Sequence, residues 1–394
     1  MSSPVEHIRN HHAELKDIRH DLHAHPELGF EEARTAAIVA EKLAAWGIEV
    51  HRGLAKTGVV GVVRGRKSAS GRAVGVRADM DCLPMHETGE VPYRSRHEGR
   101  MHACGHDGHT TMLLGAARYL AETRNFDGTA YLIFQPAEEG GGGGRVMVEQ
   151  GLFERFPANE VYALHNWPGL PPGKIAVRAG PMMAATDEIE ITVRGRGGHA
   201  AMPHLAVDPV VATAHIIAAL QTVASRNVNP VDSVVVSACS MQTSQLGAYN
   251  IIPDAVRLTG TVRSFRPETR SLAEARVREI VELIARALGA SAEIEFRRGY
   301  PATVNSAREA AFAARVGERV FGKGNVVTDA EPTMGGEDFS YMLLERPGAY
   351  VWLGQGGGPG GCFLHNSSYD FNDEVIPLGA GYLAALVEDS LPLK

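Results

Sequence analysis

The sequence has few cysteines and no long apolar run. Four cysteines among 394 residues are too few for a disulfide framework (Cys82, Cys104, Cys239 and Cys362). We therefore expect reduced thiols and a cytoplasmic location. The N-terminal stretch MSSPVEHIRNHHAELK lacks the apolar segment of a secretion signal, and no later stretch approaches the roughly 18 unbroken apolar residues of a membrane span. These absences argue against secreted and membrane-spanning classes of protein.

An excess of positive charge is also absent. Lys and Arg total 39 against 46 Asp and Glu, a net charge of −7, which disfavours nucleic acid and anionic membrane surfaces as partners. The single glycine run, Gly140 to Gly144, is not followed by the Lys-Ser/Thr of a phosphate-binding loop. Nothing in the chain therefore indicates a nucleotide cofactor.

The length and the order of the elements predict a two-domain α/β protein. The chain exceeds the ~100–200 residues of a typical domain. Helices are predicted over 5–22, 31–47 and 110–123, and apolar strands over GVVGVVRG, AVGVRADMD, 129–135 and 161–165. This alternation is typical of an open α/β sheet covered by helices on both faces.

The middle of the chain follows another pattern. A half-exposed strand, DEIEITVRG, precedes a helix at about 207–225, the strands DSVVVSACSM and AVRLTGTVRSF, a helix at 267–288 and the strand SAEIEF. The order βαββαβ is that of the ferredoxin-like split motif. We predict an inserted domain over 184–297, within a discontinuous α/β domain formed by 1–183 and 298–394.

Histidine is concentrated near the N-terminus, where chemistry is therefore expected. Twelve of the seventeen histidines lie in the first 109 residues. The stretch MHACGHDGHTT places four soft or borderline ligands immediately before an apolar helix (His102, Cys104, His106 and His109). Because such side chains coordinate metal ions readily, this stretch predicts a metal site.

Further candidate ligands follow predicted strands. They are Asp79 and Asp81 after AVGV, Glu138 and Glu139 after YLIF, His165 after VYA, and His365 after AYVWLG and a glycine-rich loop. In open α/β sheets, ligands bind beyond the carboxyl ends of the strands. Four groups at equivalent positions predict one shared site.

The adjacent carboxylates Glu138 and Glu139 suggest a mechanism. In extended chain, successive side chains point to opposite sides, so the two glutamates can do different jobs. One can bind metal while the other takes the proton of a metal-bound water. Pro136 and the glycine run allow the backbone to turn sharply and approach ligands closely, although such a run can also be a flexible linker.

Nine segments carry a family resemblance. They are HDLHAHPELGFEE, RADMDCLPM, MHACGHDGHTTMLLGAA, QPAEEGGGG, LHNWPGLPPGK, GRGGHAAMPH, NIIPDAVRLTGTVRS, MGGEDFS and LHNSSYDFNDE. In this order they resemble the M20 family of metallohydrolases over almost the whole chain. Within that family they are similar to the amidohydrolase branch of hippurate hydrolases, plant auxin-conjugate hydrolases and N-acyl-amino-acid amidohydrolases.

The resemblance implies an exopeptidase-like α/β domain with two divalent ions (Zn, Mn, Co or Ni). The ligands it implies are Cys104, His106, Glu139, His165 and His365. Glu138 takes the position of the general base, and Asp81 that of a carboxylate which orients a ligating imidazole. The implied reaction is hydrolysis of the amide bond of a small N-acyl or N-aroyl amino acid.

The resemblance also gives the inserted domain a role as lid and dimerisation surface, so a homodimer or a dimer of dimers is expected. His199 is implied to polarise the scissile carbonyl, in its own subunit or in the partner. Asn250 and Arg263 are implied to grip the polar end of the substrate. An arginine suits a carboxylate because its planar fork binds both oxygens.

Other functions fit parts of the pattern. A dipeptidase or aminoacylase of the same fold would use the same metal ligands. A cysteine hydrolase would use Cys104 as nucleophile with His106 or His109 as base. A metal-containing binding or scaffold protein is the third alternative, against which Glu138 argues. Cys82, His23 and His25 are interpreted as structural residues.

Overall fold

The computed structural model describes residues 3–245, 247–357 and 363–393. The chain forms two compact units. The larger takes its described residues from 1–182, 304–331 and 338–394, and the smaller takes them from 183–303 and 332–337.

The helices are α1 (Pro4–Arg9), α2 (His12–Ala24), α3 (Ala33–Ala45), α4 (His106–Thr123), α5 (Gly143–Glu149), α6 (Leu152–Arg155), α7 (Pro209–Thr222), α8 (Pro267–Ala287), α9 (Ala307–Phe321), α10 (Ser340–Glu345) and α11 (Ile376–Ser390). Among the described residues, no helix is both long enough and apolar enough to cross a membrane.

The strands are β1 (Glu49–Leu54), β2 (Gly58–Arg64), β3 (Ala73–Asp79), β4 (Thr129–Gln135), β5 (Glu160–Pro168), β6 (Ile175–Ala176), β7 (Gly180–Met183), β8 (Ala185–Arg194), β9 (Gly198–His199), β10 (Val234–Thr243), β11 (Ile251–Ile252), β12 (Ala255–Ser264), β13 (Ser291–Arg298), β14 (Thr303–Asn305), β15 (Val326–Val327) and β16 (Gly348–Gly356).

The larger unit is built on a mixed sheet in the order β1-β2-β4-β3-β5-β16-β6-β15. Its central strands β4, β3, β5 and β16 are parallel, and every residue of β3 is buried. Helices α4 and α11 pack on each other, α3 packs on β2, and α9 packs on β16. Parallel strands buried on both faces read as continuous apolar runs. Their carboxyl ends meet at one edge of the sheet.

The smaller unit is an antiparallel sheet in the order β10-β12-β8-β13, against which α7 and α8 pack. The chain order is βαββαβ. Strand β8 alternates buried and more exposed residues, as expected for a sheet with one covered face. The predicted fold class, an α/β domain with a ferredoxin-like insertion, is confirmed.

Some elements differ from the sequence-based prediction. The helix predicted over 5–22 is interrupted, because α1 ends at Arg9 and α2 begins at His12. A capping box between Ser3 and Glu6 starts α1. Strand β1 was not predicted because its residues, EVHRGL, are mostly exposed and have no apolar pattern. The short strands β6, β7, β9, β11, β14 and β15 were not predicted because backbone pairing defines them.

A buried ion pair joins strand and helix in the smaller unit. Arg270 of α8 donates from Nε to both carboxylate oxygens of Asp187 on β8, at 3.1 and 3.0 Å, and its Nη2 also contacts Oδ1. The Asp187 side chain is fully buried. The same guanidinium donates to the carbonyl oxygen of Gly299, just after β13, at 3.1 Å.

We expect Asp187→Ala to destabilise the protein strongly, because it leaves the buried Arg270 charge without a carboxylate partner, a change that typically costs about 3–5 kcal/mol. The thermal unfolding midpoint checks this. Glu190→Ala, on the same strand, is the control, since it removes a partly exposed carboxylate that pairs with Arg257 and Arg297 at the surface. Equal midpoints for the two variants would contradict the importance of the buried pair.

Candidate metal centre

The predicted metal ligands of the larger unit converge at the carboxyl edge of its parallel strands. Glu138 and Glu139 follow β4, and His165 lies near the end of β5. His365 lies in the segment after β16, where its backbone N–H donates to the carbonyl oxygen of Ala103 at 2.8 Å. This bond holds His365 next to Cys104.

His106 is the first residue of helix α4, and Cys104 lies two residues before it. The sulfur of Cys104 lies 3.4 Å from Nε2 of His165, and all three side chains are buried. Their ligand atoms lie within 4.8 Å of one another. A thiol and two imidazoles at these separations form a donor set typical of borderline divalent metals.

Both imidazoles are oriented through Nδ1. His106 Nδ1 lies 2.9 Å from the carbonyl oxygen of Asp81, and His165 Nδ1 lies 2.7 Å from that of Asn166. Because a carbonyl oxygen only accepts, each Nδ1 carries the proton and donates it. In the neutral form of each ring, Nε2 is then left with a lone pair aimed at the cluster, which is the form that a metal-binding histidine requires.

Glu139 and His365 complete the cluster. Glu139 Oε1 lies 3.2 Å from Nε2 of His365 and 4.0 Å from Nε2 of His106. The ligand atoms of Cys104, Glu139 and His365 lie within 4.8 Å of one another, and so do those of His106, Glu138 and Glu139. The groups overlap because Cys104, His106 and Glu139 each belong to more than one of them.

Two buried ligand atoms lack hydrogen bonds, which indicates whether the cluster is suited to a metal ion. His106 Nε2 and Glu139 Oε1 are enclosed and make no hydrogen bond in the part of the chain that the structure describes, although Glu139 Oε1 also faces His365 Nε2 at 3.2 Å. Buried polar atoms without partners are costly and need an explanation. A cation between them would satisfy both, so the residues fit divalent metal ions.

Asp81 links the ligand-bearing segments. Its Oδ2 accepts the backbone N–H of Glu139 at 2.8 Å, and its Oδ1 lies 3.3 Å from His106 Nδ1. One buried carboxylate therefore fixes the turn that carries Glu139 and the ring of His106.

Glu138 and Glu139 lie in a turn, so the extended-chain premise of the sequence analysis is wrong. Ala137 adopts a left-handed φ of 53°, and the turn continues into helix α5 at Gly143. A Cβ at Gly143 would lie 1.7 Å from the carbonyl oxygen of Pro136, so only glycine fits there. The glycine run is a shaped turn whose Gly144 N–H donates to Asp338 at 2.8 Å.

The cluster perturbs its own proton affinities. Burial lowers the pKa of His106, but Asp79 and Asp81 more than compensate and raise it to about 10. Burial and the charge of His109 hold the pKa of His165 well below its ordinary value. Burial, Glu139 and Glu138 raise the pKa of the Cys104 thiol well above its ordinary value. A nearby cation would stabilise the thiolate and compete with the His106 proton.

The structure separates the four ligand-type residues of MHACGHDGHTT. Cys104 and His106 face the cluster. His109 is held by Asp79 through Nδ1 at 2.6 Å and by the side-chain oxygen of Asn166 through Nε2 at 2.6 Å. His102 is buried, and neither ring nitrogen has a hydrogen-bond partner among the described residues. Burial lowers the pKa of His102 to about 4, so it is neutral at pH 7.

Comparison with known proteins supplies the family. Residues 75–389 match the model of peptidase family M20/M25/M40. A hippurate hydrolase of Campylobacter jejuni is 44% identical over 373 residues, 95% of each chain. An N-acetylcysteine deacetylase of Bacillus subtilis is 37% identical over 377 residues, 95% of this chain and 96% of that one. The chain belongs to peptidase family M20.

A solved structure agrees with this assignment. A Bacillus subtilis protein described as a dinuclear metal binding peptidase of the M20 family superposes with a TM-score of 0.84 at 34% identity, covering 97% of this chain and 99% of that one. The predicted family and the predicted enzyme class, an M20-type hydrolase of amide bonds, are confirmed.

The sequence analysis did not predict a buried hydrogen-bond network that is centred on Arg77. Arg77 of β3 donates to Asp79 at 2.7 Å, to Asp338 at 3.0 Å and to Gln135 at 2.9 Å. Asp338 in turn accepts the Gly144 N–H at the end of the glycine turn. An arginine inside the apolar run AVGVRAD was the available indication, because a charge in a buried strand needs partners.

In the smaller unit of the M20 enzyme, His199 and Asn250 lie together. His199 on β9 is paired with Ile251 on β11, and the Ala200 N–H donates to the carbonyl oxygen of Asn250 at 2.9 Å. His199 is exposed, and its Nδ1 accepts the Ala201 N–H at 3.1 Å. Neutral His199 therefore keeps its proton on Nε2, where it can be donated to another group.

The other sequence-predicted residues have distinct surroundings. Arg263, near the end of β12, is partly buried, and burial lowers its pKa. Cys82 is buried next to Asp81, and burial followed by the Asp81 charge raises the pKa of its thiol. Cys362 lies outside the described residues. His23 is buried between Asp107 and Glu87, at 2.8 and 3.2 Å.

Proposed function

We propose that this M20 hydrolase cleaves the amide bond of N-acyl and N-aroyl amino acids with two divalent metal ions, zinc, manganese, cobalt or nickel. The observation that carries the proposal is the set of overlapping ligand groups, each within 4.8 Å, that share Cys104, His106 and Glu139. The named activities of the hippurate hydrolase and N-acetylcysteine deacetylase relatives support the substrate class.

The proposed metal ligands are Cys104, His106, Glu139, His165 and His365. Cys104, His106 and Glu139 belong to more than one of the overlapping groups. Of these, a thiolate and a carboxylate have several lone pairs and would be able to serve both ions, whereas an imidazole nitrogen has one. Divalent ions held there supply Lewis acidity, which lowers the pKa of water and polarises a carbonyl group. Asp81 keeps His106 and the Glu139 backbone in place.

Glu138 is the proposed general base. It is 7% exposed and lies in one group with His106 and Glu139. From this position its carboxylate takes a proton from the attacking water and passes it to the leaving amine nitrogen, because the amine leaves only when protonated. Its neighbour Glu139 is committed to metal, so the two carboxylates have separate roles.

The unit formed by 183–303 and 332–337 is the proposed lid and dimerisation domain, close to the 184–297 insertion predicted from the sequence. His199 donates a hydrogen bond from Nε2 to the oxygen of the scissile carbonyl. Asn250, beside it, and Arg263 hold the carboxylate of the substrate. Several large apolar side chains of this unit are exposed, as a dimer interface requires (Met202, Leu205, Val211, Val231, Met241, Tyr249 and Ile251).

The alternatives are distinguishable by chemistry. A dipeptidase or aminoacylase would use the same metal ligands on another substrate. A cysteine hydrolase would need a Cys104 thiolate in the absence of metal, which burial and two glutamates oppose. The free thiols Cys82, Cys104 and Cys239 suit the reducing cytoplasm, where we place the protein.

The proposal is tested by assaying the wild type and Glu138→Gln on hippurate, N-acetyl amino acids and an indole-acetyl amino acid, with zinc, manganese or cobalt. The wild type should hydrolyse at least one of these substrates and lose activity on chelation. Glu138→Gln preserves shape and removes the proton acceptor, so kcat should fall by ~10²–10⁴. Elemental analysis should show that the variant retains its metal.

The control is Glu149→Gln, which changes an exposed glutamate of α5 and should leave kcat unchanged. Turnover that survives chelation would support the cysteine hydrolase. Near-normal turnover by Glu138→Gln with full metal content would show that the base lies elsewhere.

A mixing experiment tests the role of His199. His199→Ala removes one donor to the developing oxyanion, which typically costs ~10²–10³ in kcat, with metal retained. His204→Ala, an exposed histidine of the same loop, is the control. If the site is shared across a dimer, mixing His199→Ala with Glu138→Gln should restore activity, because one site in each heterodimer has both wild-type residues. No recovery despite verified subunit exchange would exclude a shared site.

A further inference from the structure

Glu32, at the beginning of helix α3, has a carboxylate that is fully buried in the larger unit. It belongs to the segment PELGFEE, which contributes no metal ligand. Its Oε1 accepts the backbone N–H of Ala137 at 2.8 Å and that of Phe30 at 3.0 Å. Its Oε2 accepts the hydroxyl of Thr57 at 2.6 Å. One carboxylate therefore ties together three separate segments.

All three segments have an unusual backbone at the point of contact. Ala137 and Phe30 have φ values of 53° and 64°, and Ala55 and Lys56, just before Thr57, have 48° and 68°. Residues other than glycine rarely adopt this left-handed conformation, and it persists only where the surroundings impose it. Two of the three partners of Glu32, Ala137 and Phe30, are thus left-handed themselves, and the third, Thr57, directly follows two left-handed residues.

The Ala137 contact leads directly to the reacting groups. Ala137 immediately precedes Glu138 and Glu139, and its carbonyl oxygen accepts the Gly143 N–H at 3.0 Å to close the turn. Gly29 packs closely against Ala137: a Cβ at Gly29 would lie 3.0 Å from the Ala137 Cβ. The turn therefore has little room to move toward Gly29. A shift of Ala137 would therefore move both glutamates.

We infer that Glu32 is a positioning residue that holds the Ala137 backbone left-handed and so places Glu138 and Glu139 for the reaction. The inference rests on the proposed roles of these two glutamates. The hydrogen bonds of Glu32 go to Ala137, Phe30 and Thr57, so it acts through the turn.

The three bonds require acceptor oxygens in the right place more than they require full charge. Burial, together with the Asp81 charge, raises the pKa of Glu32 to about 7, against the opposing hydrogen bonds from Thr57 and Ala137. A neutral side chain of the same length is thus compatible with the site. Glutamine keeps an acceptor oxygen for both backbone N–H groups, and the Thr57 hydroxyl can accept from its amide.

Two conservative variants separate the effect of the Glu32 side-chain length from the effect of its charge. Glu32→Asp keeps the charge but withdraws the acceptor by one methylene, whereas Glu32→Gln keeps the reach and removes the charge. We expect Glu32→Asp to lower kcat by up to about 10²-fold, the scale of an ~1 Å misplacement, with a much smaller change in KM. Glu32→Gln should keep kcat within a few-fold of the wild type.

The matched controls are Glu31→Asp and Glu31→Gln, because Glu31 is the exposed neighbour and contacts only Arg100 among the described ion pairs. Both should behave as wild type. Kinetics are measured on folded, metal-loaded protein, so a purely structural role would leave kcat unchanged. Unchanged kcat in Glu32→Asp, or a larger loss in Glu32→Gln than in Glu32→Asp, would overturn the inference.

Amide hydrogen exchange gives a readout that does not depend on activity. Exchange of the peptide containing Ala137 should be faster in Glu32→Asp than in the wild type and close to wild type in Glu32→Gln. Equal protection in all three proteins would overturn the inference. An inactive wild type would refute the proposed function while leaving this exchange test intact.

Discussion

Buried ligand atoms without hydrogen-bond partners are the constraint on which the rest of the larger unit depends. His106 Nε2 and Glu139 Oε1 are enclosed in this state among the described residues, with the sulfur of Cys104 close by. Packing such atoms into an apolar α/β core is unfavourable unless a cation compensates them. The parallel strands bring the ligands together at one edge of the sheet. Because burying these polar atoms is unfavourable, the surrounding residues hold them with hydrogen bonds.

Those supports act mainly on backbone and ring orientation. Main-chain carbonyl oxygens fix the imidazoles of His106 and His165, so each ring turns its Nε2 toward the cluster before any ion arrives. Asp81 holds the turn that carries Glu139 through a backbone N–H. Preorganisation of this kind lowers the cost of binding a metal and of reaching the reactive geometry.

The sequence predicted those parts of the site that follow a local pattern. Cys104, His106, Glu139 and His165 stand beside apolar strands or an apolar helix, so their convergence could be expected from topology alone. The prediction of extended chain at Glu138 and Glu139 was wrong, because Ala137 has a left-handed φ of 53° and places both glutamates in a turn.

The network of Arg77 and Asp338 could not be predicted, because its partners are 261 residues apart. The role inferred for Glu32 could not be predicted for the same reason, because its partner Ala137 lies 105 residues away in the sequence. Short strands such as β6 and β15 also depend on tertiary pairing and have no pattern of their own. Contacts between residues that are distant in sequence form only in the folded chain. Local sequence patterns therefore do not predict them.

The most direct test is anomalous diffraction from crystals of the zinc-loaded protein. The account predicts two strong peaks, both at the cluster, with Cys104 Sγ at about 2.3 Å and histidine nitrogens at about 2.0–2.1 Å from the ions. Glu139 should be a ligand, and Glu138 should not. A single peak, or zinc only at another three-residue group such as His7, His11 and Glu122, would contradict the account.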